Sequence, residues 1–354
     1  MFPAFLIALQ LLVVTTCHLF GTVVVSDHPI EKIKGPKSHL DQPEGLAFSP
    51  SGDYLAVANA RNNHLTIYAR TGNDGPHYAS TPACIVENAE YFEYLHEVDF
   101  SPCGNFLIAA SRKTHSVVCL KRKDSEAISF ETTPHWVFDH KSVPELKTTA
   151  DVAFSHSGEF LGVVNRTGDS TIVLFKQLSD MECHYDPSPF QVISESALLE
   201  YDIAPSHGLT FSPDGTKLAI TTKRFHGNTR GKPSLMIFEK ETDKRGEPRF
   251  VPSFIFPFPK TVCPHGVAFH PSGRYLALTN SEGEVLIFEM EADENTFTIA
   301  LRIPIERRTT VDTRGMQETA KGVAFSPCGN YLAFSTMNDS ILVYEFQCDE
   351  PPQT

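Results

Sequence analysis

Gly45-Leu46-Ala47-Phe48-Ser49-Pro50-Ser51-Gly52 decides the architecture of this chain, because the same line returns five more times. It recurs as Val98-Asp99-Phe100-Ser101-Pro102-Cys103-Gly104, Val152-Ala153-Phe154-Ser155-His156-Ser157-Gly158 and Leu209-Thr210-Phe211-Ser212-Pro213-Asp214-Gly215. Val267-Ala268-Phe269-His270-Pro271-Ser272-Gly273 and Val323-Ala324-Phe325-Ser326-Pro327-Cys328-Gly329 complete the set. The anchoring Phe residues stand 52, 54, 57, 58 and 56 apart, and a sustained period of this size usually defines a whole fold. Each copy continues with a turn closed by the Gly and an alternating strand such as Tyr54-Leu55-Ala56-Val57-Ala58-Asn59. A polar turn and a second alternating strand such as Leu65-Thr66-Ile67-Tyr68 follow. Period-two apolar patterning broken by turns reads as an antiparallel meander.

A fourth strand lies in the variable tract before each next anchor, as in Ala83-Cys84-Ile85-Val86, Trp136-Val137-Phe138, Phe190-Gln191-Val192-Ile193, Phe254-Ile255-Phe256 and Leu301-Arg302-Ile303-Pro304. Four strands per repeat make a sheet that cannot bury both faces alone. Closing several such sheets around an axis buries each against its neighbours and leaves short edges. The chain therefore reads as an all-β propeller of six four-stranded blades, with each Phe wedged between blades. The sixth repeat ends at Ile341-Leu342-Val343-Tyr344-Glu345-Phe346, leaving no good outer strand in Gln347 to Thr354. Thr22-Val23-Val24-Val25 is the first choice to supply it from the other chain end, and Ile30-Glu31-Lys32-Ile33 the second. The competing architecture is a seventh, degenerate blade built from Leu11-Leu12-Val13-Val14 and Thr22 to Val25, which would lack an innermost strand.

Composition agrees. The 354 residues are 41% hydrophobic and 21% charged, a soluble globular balance, and Phe 26, Pro 25 and Gly 21 suit many short strands and turns rather than a helical bundle. A formal net charge of -13 repels phosphate backbones, so no nucleic-acid partner is expected. The eight cysteines form no CxxC or similar close pairing, and their number does not identify a redox compartment. Residues 1–21 hold an apolar run from Ala4 to Val14 with no preceding Lys or Arg, which reads as a signal peptide or hydrophobic segment. That reading favours a secreted or extracytoplasmic protein; the alternative is cytoplasmic. A membrane association would follow only if the run remained as an uncleaved anchor. Residues 22–348 then form one propeller domain and 349–354 a tail.

The unit Phe-Ser-Pro-x-Gly-x-Tyr-Leu followed by Ala-Asn-x-x-x-Asn-x-Leu-x-Ile-Tyr resembles the YVTN and lactonase-type β-propellers over residues 40–346. His265-Gly266-Val267-Ala268-Phe269-His270-Pro271-Ser272-Gly273-Arg274-Tyr275-Leu276 and Ser206-His207-Gly208 lie close to that family's line. The resemblance implies a propeller and, among its members, lactone hydrolysis or muconate-type cyclisation. Those enzymes usually have seven blades, whereas six anchors are countable here.

In a propeller, the residue four before each anchor faces one end of the axial channel. This ring is Glu44, His96, Ala150, His207, His265 and Lys321. Twelve after each anchor, on the same face, come Ala60, Arg112, Arg166, Lys223, Ser281 and Met337. The functional reading is a polar funnel: Arg112, Arg166, Lys223 and Lys321 hold an anion while His96, His207, His265 or Glu44 moves protons. Anion affinity would then rise as the imidazoles charge at low pH. The competing reading is structural. In it the His side chains satisfy backbone groups at the blade entrance, Gly208, Gly266 and Gly322 permit an unusual backbone conformation, and Asn59, Asn165 and Asn280 cap turns. No metal is expected, since the three His come from blades two, four and five and would be too far apart unless the channel is narrow. No cofactor is expected either, because a P-loop, a nucleophile elbow and a dinucleotide fingerprint are all absent. The partner is then a protein or peptide held by a binding scaffold, or a small anionic ligand. The alternative is an enzyme acting on a small carboxylated lactone.

Overall fold

The computed structural model describes residues 23–72, 75–124, 127–166, 172–178, 182–224, 231–291, 295–305 and 319–348. The proposed signal segment, the 349–354 tail and the Leu11 to Val14 strand of the seven-blade alternative lie outside the described residues. The chain opens with β1 (Val23–Val25) and β2 (Glu31–Lys34). Blade 1 is β3 (Pro43–Phe48), β4 (Tyr54–Asn59), β5 (His64–Ala69) and β6 (Cys84–Glu87). Blade 2 is β7 (Leu95–Phe100), β8 (Phe106–Ser111), β9 (Ser116–Lys121) and β10 (Trp136–Asp139). Blade 3 is β11 (Thr149–Phe154), β12 (Phe160–Asn165), β13 (Ile172–Lys176) and β14 (Gln191–Ile193), followed by a short helix α1 (Glu195–Leu199). Blade 4 is β15 (Ser206–Phe211), β16 (Lys217–Thr222), β17 (Ser234–Thr242) and β18 (Pro248–Pro257). Blade 5 is β19 (Pro264–Phe269), β20 (Tyr275–Asn280), β21 (Glu284–Met290) and β22 (Phe297–Pro304). Blade 6 is β23 (Ala320–Phe325), β24 (Tyr331–Thr336) and β25 (Ser340–Cys348), completed from the amino terminus.

Every sheet is an antiparallel meander, and the innermost strands β3, β7, β11, β15, β19 and β23 pack side by side in a closed ring. The six anchoring Phe residues are all buried. Each packs against the preceding blade: Phe100 against Ala56, Leu65 and Ile67 of blade 1, and Phe325 against Tyr275, Val285 and Ile287 of blade 5. The hydrophobic core is thus six sectors between sheets, the burial that a lone blade lacks.

The turn after five of the six anchors repeats one hydrogen-bond solution, His270 standing in place of the Ser in blade 5. The Ser49 hydroxyl accepts the Tyr54 N–H at 3.0 Å, and Ser101, Ser155, Ser212 and Ser326 do the same for residues five further on. Gly52 sits at φ +75°, a left-handed conformation that costs other residues dearly, and its five counterparts lie between +69° and +77°.

The outer strand of blade 6 corrects one detail of the closure. Both amino-terminal tracts pair with β25, not one of them: Glu31–Lys34 lies against Ser340–Val343, and Val23–Val25 lies against the extension Phe346–Cys348. The Glu-Lys-Ile-Lys strand, the second choice from sequence, has charged side chains at three of its four positions. Its single apolar residue, Ile33, is fully buried against Leu55, Val57 and Val343.

Candidate functional site

The two sequence positions expected to share a face do so through one repeated contact. The N–H of each residue twelve after the anchor, namely Ala60, Arg112, Arg166, Lys223, Ser281 and Met337, bonds to the carbonyl six before it, on Gln42, Tyr94, Thr148, Pro205, Cys263 and Thr319. This fixes the cationic side chains beside the start of each innermost strand, at the mouth of the axis.

At the centre of that mouth Glu44 is buried, with its carboxylate 3.7 Å from the Lys321 ammonium and 3.9 Å from His96 Nε2. The Gln42 amide donates to Glu44 at 3.1 Å and to the Tyr94 hydroxyl at 2.8 Å. Burial alone would raise the Glu44 carboxyl, but Lys321, then His96, the Gln42 hydrogen bond and Lys223, outweigh it and hold the group at about 2. Glu44 is therefore an anion at neutral pH.

The channel is narrow, which overturns the expectation that the three imidazoles stand far apart. The His96 and His207 ring centroids are 5.1 Å apart and those of His207 and His265 5.0 Å, both pairs edge to face. Lys223 Nζ lies 3.2 Å from His265 Nδ1. Burial pushes His96 down to about 3 despite the Glu44 charge, and burial followed by Lys223 pushes His207 and His265 well below the usual imidazole value. All three are neutral at pH 7. Burial and the neighbouring Lys321 and Arg166 charges likewise move Lys223 well below an ordinary ammonium. Arg166 falls to about 10 through burial and the adjacent Arg112, whose guanidinium lies 5.1 Å over the Tyr94 ring. Despite the convergence of histidines, no group of three or more His, Cys, Asp or Glu among the described residues is arranged to hold a metal ion.

The imidazole ring forms a floor rather than an open wall. Glu44, His96, His207, His265 and Lys321 enclose a cavity of about 10 Å³, room for roughly one water. Above it on the same face, Glu93, Tyr94, Arg112, Lys113, His115 and Thr148 line an open cleft of about 580 Å³. His96 Nδ1 is buried with no hydrogen-bond partner among the described residues. Asn280 Oδ1 caps the turn after its own strand by accepting the Glu282 N–H, whereas Asn59 Oδ1 and Asn165 Oδ1 accept the Asp41 and Lys147 N–H groups of the connection leading into their blade.

Below the floor the ring is held together in two chemically different halves. In blades 4 and 5, Thr221 and Thr279 each accept the N–H of a glycine in their own blade and donate to a carbonyl of the next blade, Thr221 to His265 at 2.5 Å and Thr279 to Lys321. Ser335 repeats this from Gly322 to the Glu44 carbonyl, sealing blade 6 to blade 1. Gly208, Gly266 and Gly322 are required for that close approach and not for an unusual conformation, since none has a positive φ. A Cβ on Gly322 would fall 2.5 Å from the Glu44 carbonyl. Gly322→Ala is accordingly expected to cost about 2–3 kcal/mol by forcing this seam apart. A melting temperature within 1 °C of the parent would count against the close-approach role.

In the other half, carboxylates replace hydroxyls. Asp99 accepts the Phe154 N–H from blade 2 to blade 3 at 3.0 Å, and Asp151 accepts the Leu209 N–H from blade 3 to blade 4 at 3.1 Å. Glu97 rests where a Cβ on Gly45 would otherwise lie. Burial raises all three carboxyls, Asp99 to about 7, and mutual repulsion adds to Glu97 and Asp151. Together they line an axial channel of about 180 Å³. Their signal in the sequence is a break in the repeat: Glu97 and Asp151 stand in a column that is otherwise Gly, and Asp99 in one that is otherwise Ala or Thr.

No protein-family model and no curated protein matches the chain. Solved structures do. The β-propeller domain of Cps50 (Swd1) from Myceliophteria thermophila superposes with a TM-score of 0.57 at 12% identity, covering 90% of this chain and 99% of that one. A putative 6-phosphogluconolactonase from Bacteroides uniformis gives 0.51 at 12% identity over 73% and 70% of the two chains. Hydrazine synthase from Kuenenia stuttgartiensis gives 0.51 at 16% identity over 86% and 83%. At these identities the likeness concerns the fold, and the chain is a six-bladed β-propeller.

Proposed function

We propose that this propeller is a binding protein whose axial mouth takes a small polyvalent anion of the carboxylate or phosphate class. The observation that carries this reading is charge placement: Arg112, Arg166, Lys223 and Lys321 gather around one ionised carboxylate, Glu44, in a chain of net charge -13. Cations assembled against the overall field, with depressed Lys223 and Arg166, are a site that an anion relieves. The buried, unpartnered His96 Nδ1 adds polar capacity next to it. Lactone hydrolysis draws support from the family resemblance and from the fold shared with the putative 6-phosphogluconolactonase. The imidazoles and Glu44 that would perform it enclose space for about one water, too little for a lactone ring.

Binding is read by calorimetry with citrate and with inorganic phosphate. Citrate is expected to bind, with Arg112→Ala and Arg166→Ala each weakening it about tenfold or more and added salt weakening it further. An anion favours protonated Lys223, so affinity should fall as pH rises through that group's lowered titration, and Lys223→Met should flatten the dependence. The neutral imidazoles shift this role from His to Lys223. A peptide partner presenting acidic side chains would compete with citrate at the same mouth. No measurable heat at millimolar anion, or equal affinity in the Arg112 and Arg166 variants, would overturn the reading.

A further inference from the structure

Away from the axis, two cysteines from different blades face one another. Cys119 lies in β9 of blade 2, and Cys183 lies in the connection between β13 and β14 of blade 3, with their sulfurs 3.9 Å apart. Both are free and buried.

Independent contacts hold the two segments together. The Trp136 indole donates to the Cys183 carbonyl at 2.6 Å, and the His135 and His184 rings lie 4.2 Å apart. Phe106, Phe138 and Phe175 pack the same seam around the sulfurs. The thiols are therefore neighbours because the blade interface places them there. Closing 3.9 Å to a bond of about 2.05 Å asks for a sulfur displacement of roughly 2 Å, within what side-chain rotation supplies.

We propose that Cys119 and Cys183 form an inter-blade disulfide when the chain folds in the presence of a small-molecule disulfide oxidant. One cysteine thiolate attacks the oxidant, here glutathione disulfide, giving a mixed disulfide and releasing one glutathione thiolate. The second cysteine thiolate then attacks the protein sulfur of that mixed disulfide and releases the other. Two thiol protons leave, and the two electrons lost by the cysteines reduce one glutathione disulfide to two glutathiones. Burial raises the Cys119 thiol well above its ordinary value in the closed ring, and exchange proceeds through the thiolate. The bond accordingly forms during folding, before the seam closes. Its product ties β9 to the next blade and closes a loop across the Phe-rich interface.

The test refolds the reduced, denatured full chain in a glutathione redox buffer, alkylates remaining thiols with iodoacetamide, and maps peptides by mass spectrometry without reduction. The expected result is a Cys119–Cys183 linked peptide pair with Cys17, Cys84, Cys103, Cys263, Cys328 and Cys348 alkylated. The oxidised protein should melt about 5 °C above the same protein after reduction. Cys119→Ala and Cys183→Ala should each abolish the link and the oxidation-dependent shift. Should either variant fail to fold, the peptide map of the unaltered chain still decides. Alkylation of both Cys119 and Cys183 after oxidative refolding, or a link from Cys119 to Cys103 instead, overturns the proposal.

Discussion

A chain starting at Gly35 is expected to melt at least 10 °C below the full-length protein, whereas one starting at Asp27 should lose only a few degrees. The difference lies in β2. Removing it leaves the β25 edge unpaired over Ser340–Val343 and withdraws Ile33 from its contacts with Leu55, Val57 and Val343. Loss of one fully buried Ile costs about 2–5 kcal/mol by itself. One lost strand pairing of four residue pairs and an exposed edge on a closed ring add to it. Among the described elements, truncation to Asp27 removes β1, whose Val23 and Val25 pack at the rim of the blade 5 and blade 6 sector. Thermal unfolding of the two truncations, beside one lacking 347–354, ranks the contributions. Equal losses from the two amino-terminal truncations would show that β2 does not close the ring.

That ranking differs from the one the sequence alone supports, and the reason is physical. Six blades meet the same steric problem, so the Phe wedge, the turn closed by Gly and the ring position are written six times and survive local noise. The outer strand of blade 6 is written once. Its register joins Lys34 to Ser340 across almost the whole chain, and no local period reports such a pairing. The same contrast governs the site. Glu44, His96, His207, His265, Lys321, Arg112, Arg166 and Lys223 were legible because they occupy repeated columns. Glu97, Asp99 and Asp151 act on the backbone of a neighbouring blade or against its glycine, so their role is visible only once blade contacts exist. The neutrality of the imidazoles was equally out of reach, since it follows from burial beside Lys223.

Asp99→Asn is expected to be more stable than the parent at pH 8 and closer to it at pH 5. In the folded chain Asp99 titrates at about 7 against an ordinary 3.8, because burial penalises the carboxylate more than the Phe154 and Phe100 N–H bonds favour it. A folded pKa above the unfolded one means that the folded state holds a proton the unfolded state releases. The associated stability is therefore full below 3.8 and is lost as pH rises to about 7. The shift is worth on the order of 4 kcal/mol between the extremes, at about 1.36 kcal/mol per unit. Asparagine keeps an oxygen to accept the Phe154 N–H and cannot ionise, so it escapes this loss. His96, His207 and His265 work in the opposite sense: neutral when folded, they cost stability as pH falls below 6.5 and the unfolded imidazoles take up protons. Glu97 and Asp151 reinforce the alkaline loss. The imidazoles of the floor thus weaken the folded state on the acid side and the carboxyls of the channel weaken it as pH rises. Subtracting parent from variant at each pH removes the shared His contribution. Denaturant unfolding from pH 5 to 8 should show the Asp99→Asn advantage growing by about 2–3 kcal/mol. A difference that stays constant over that range would mean that Asp99 is ionised in the folded ring.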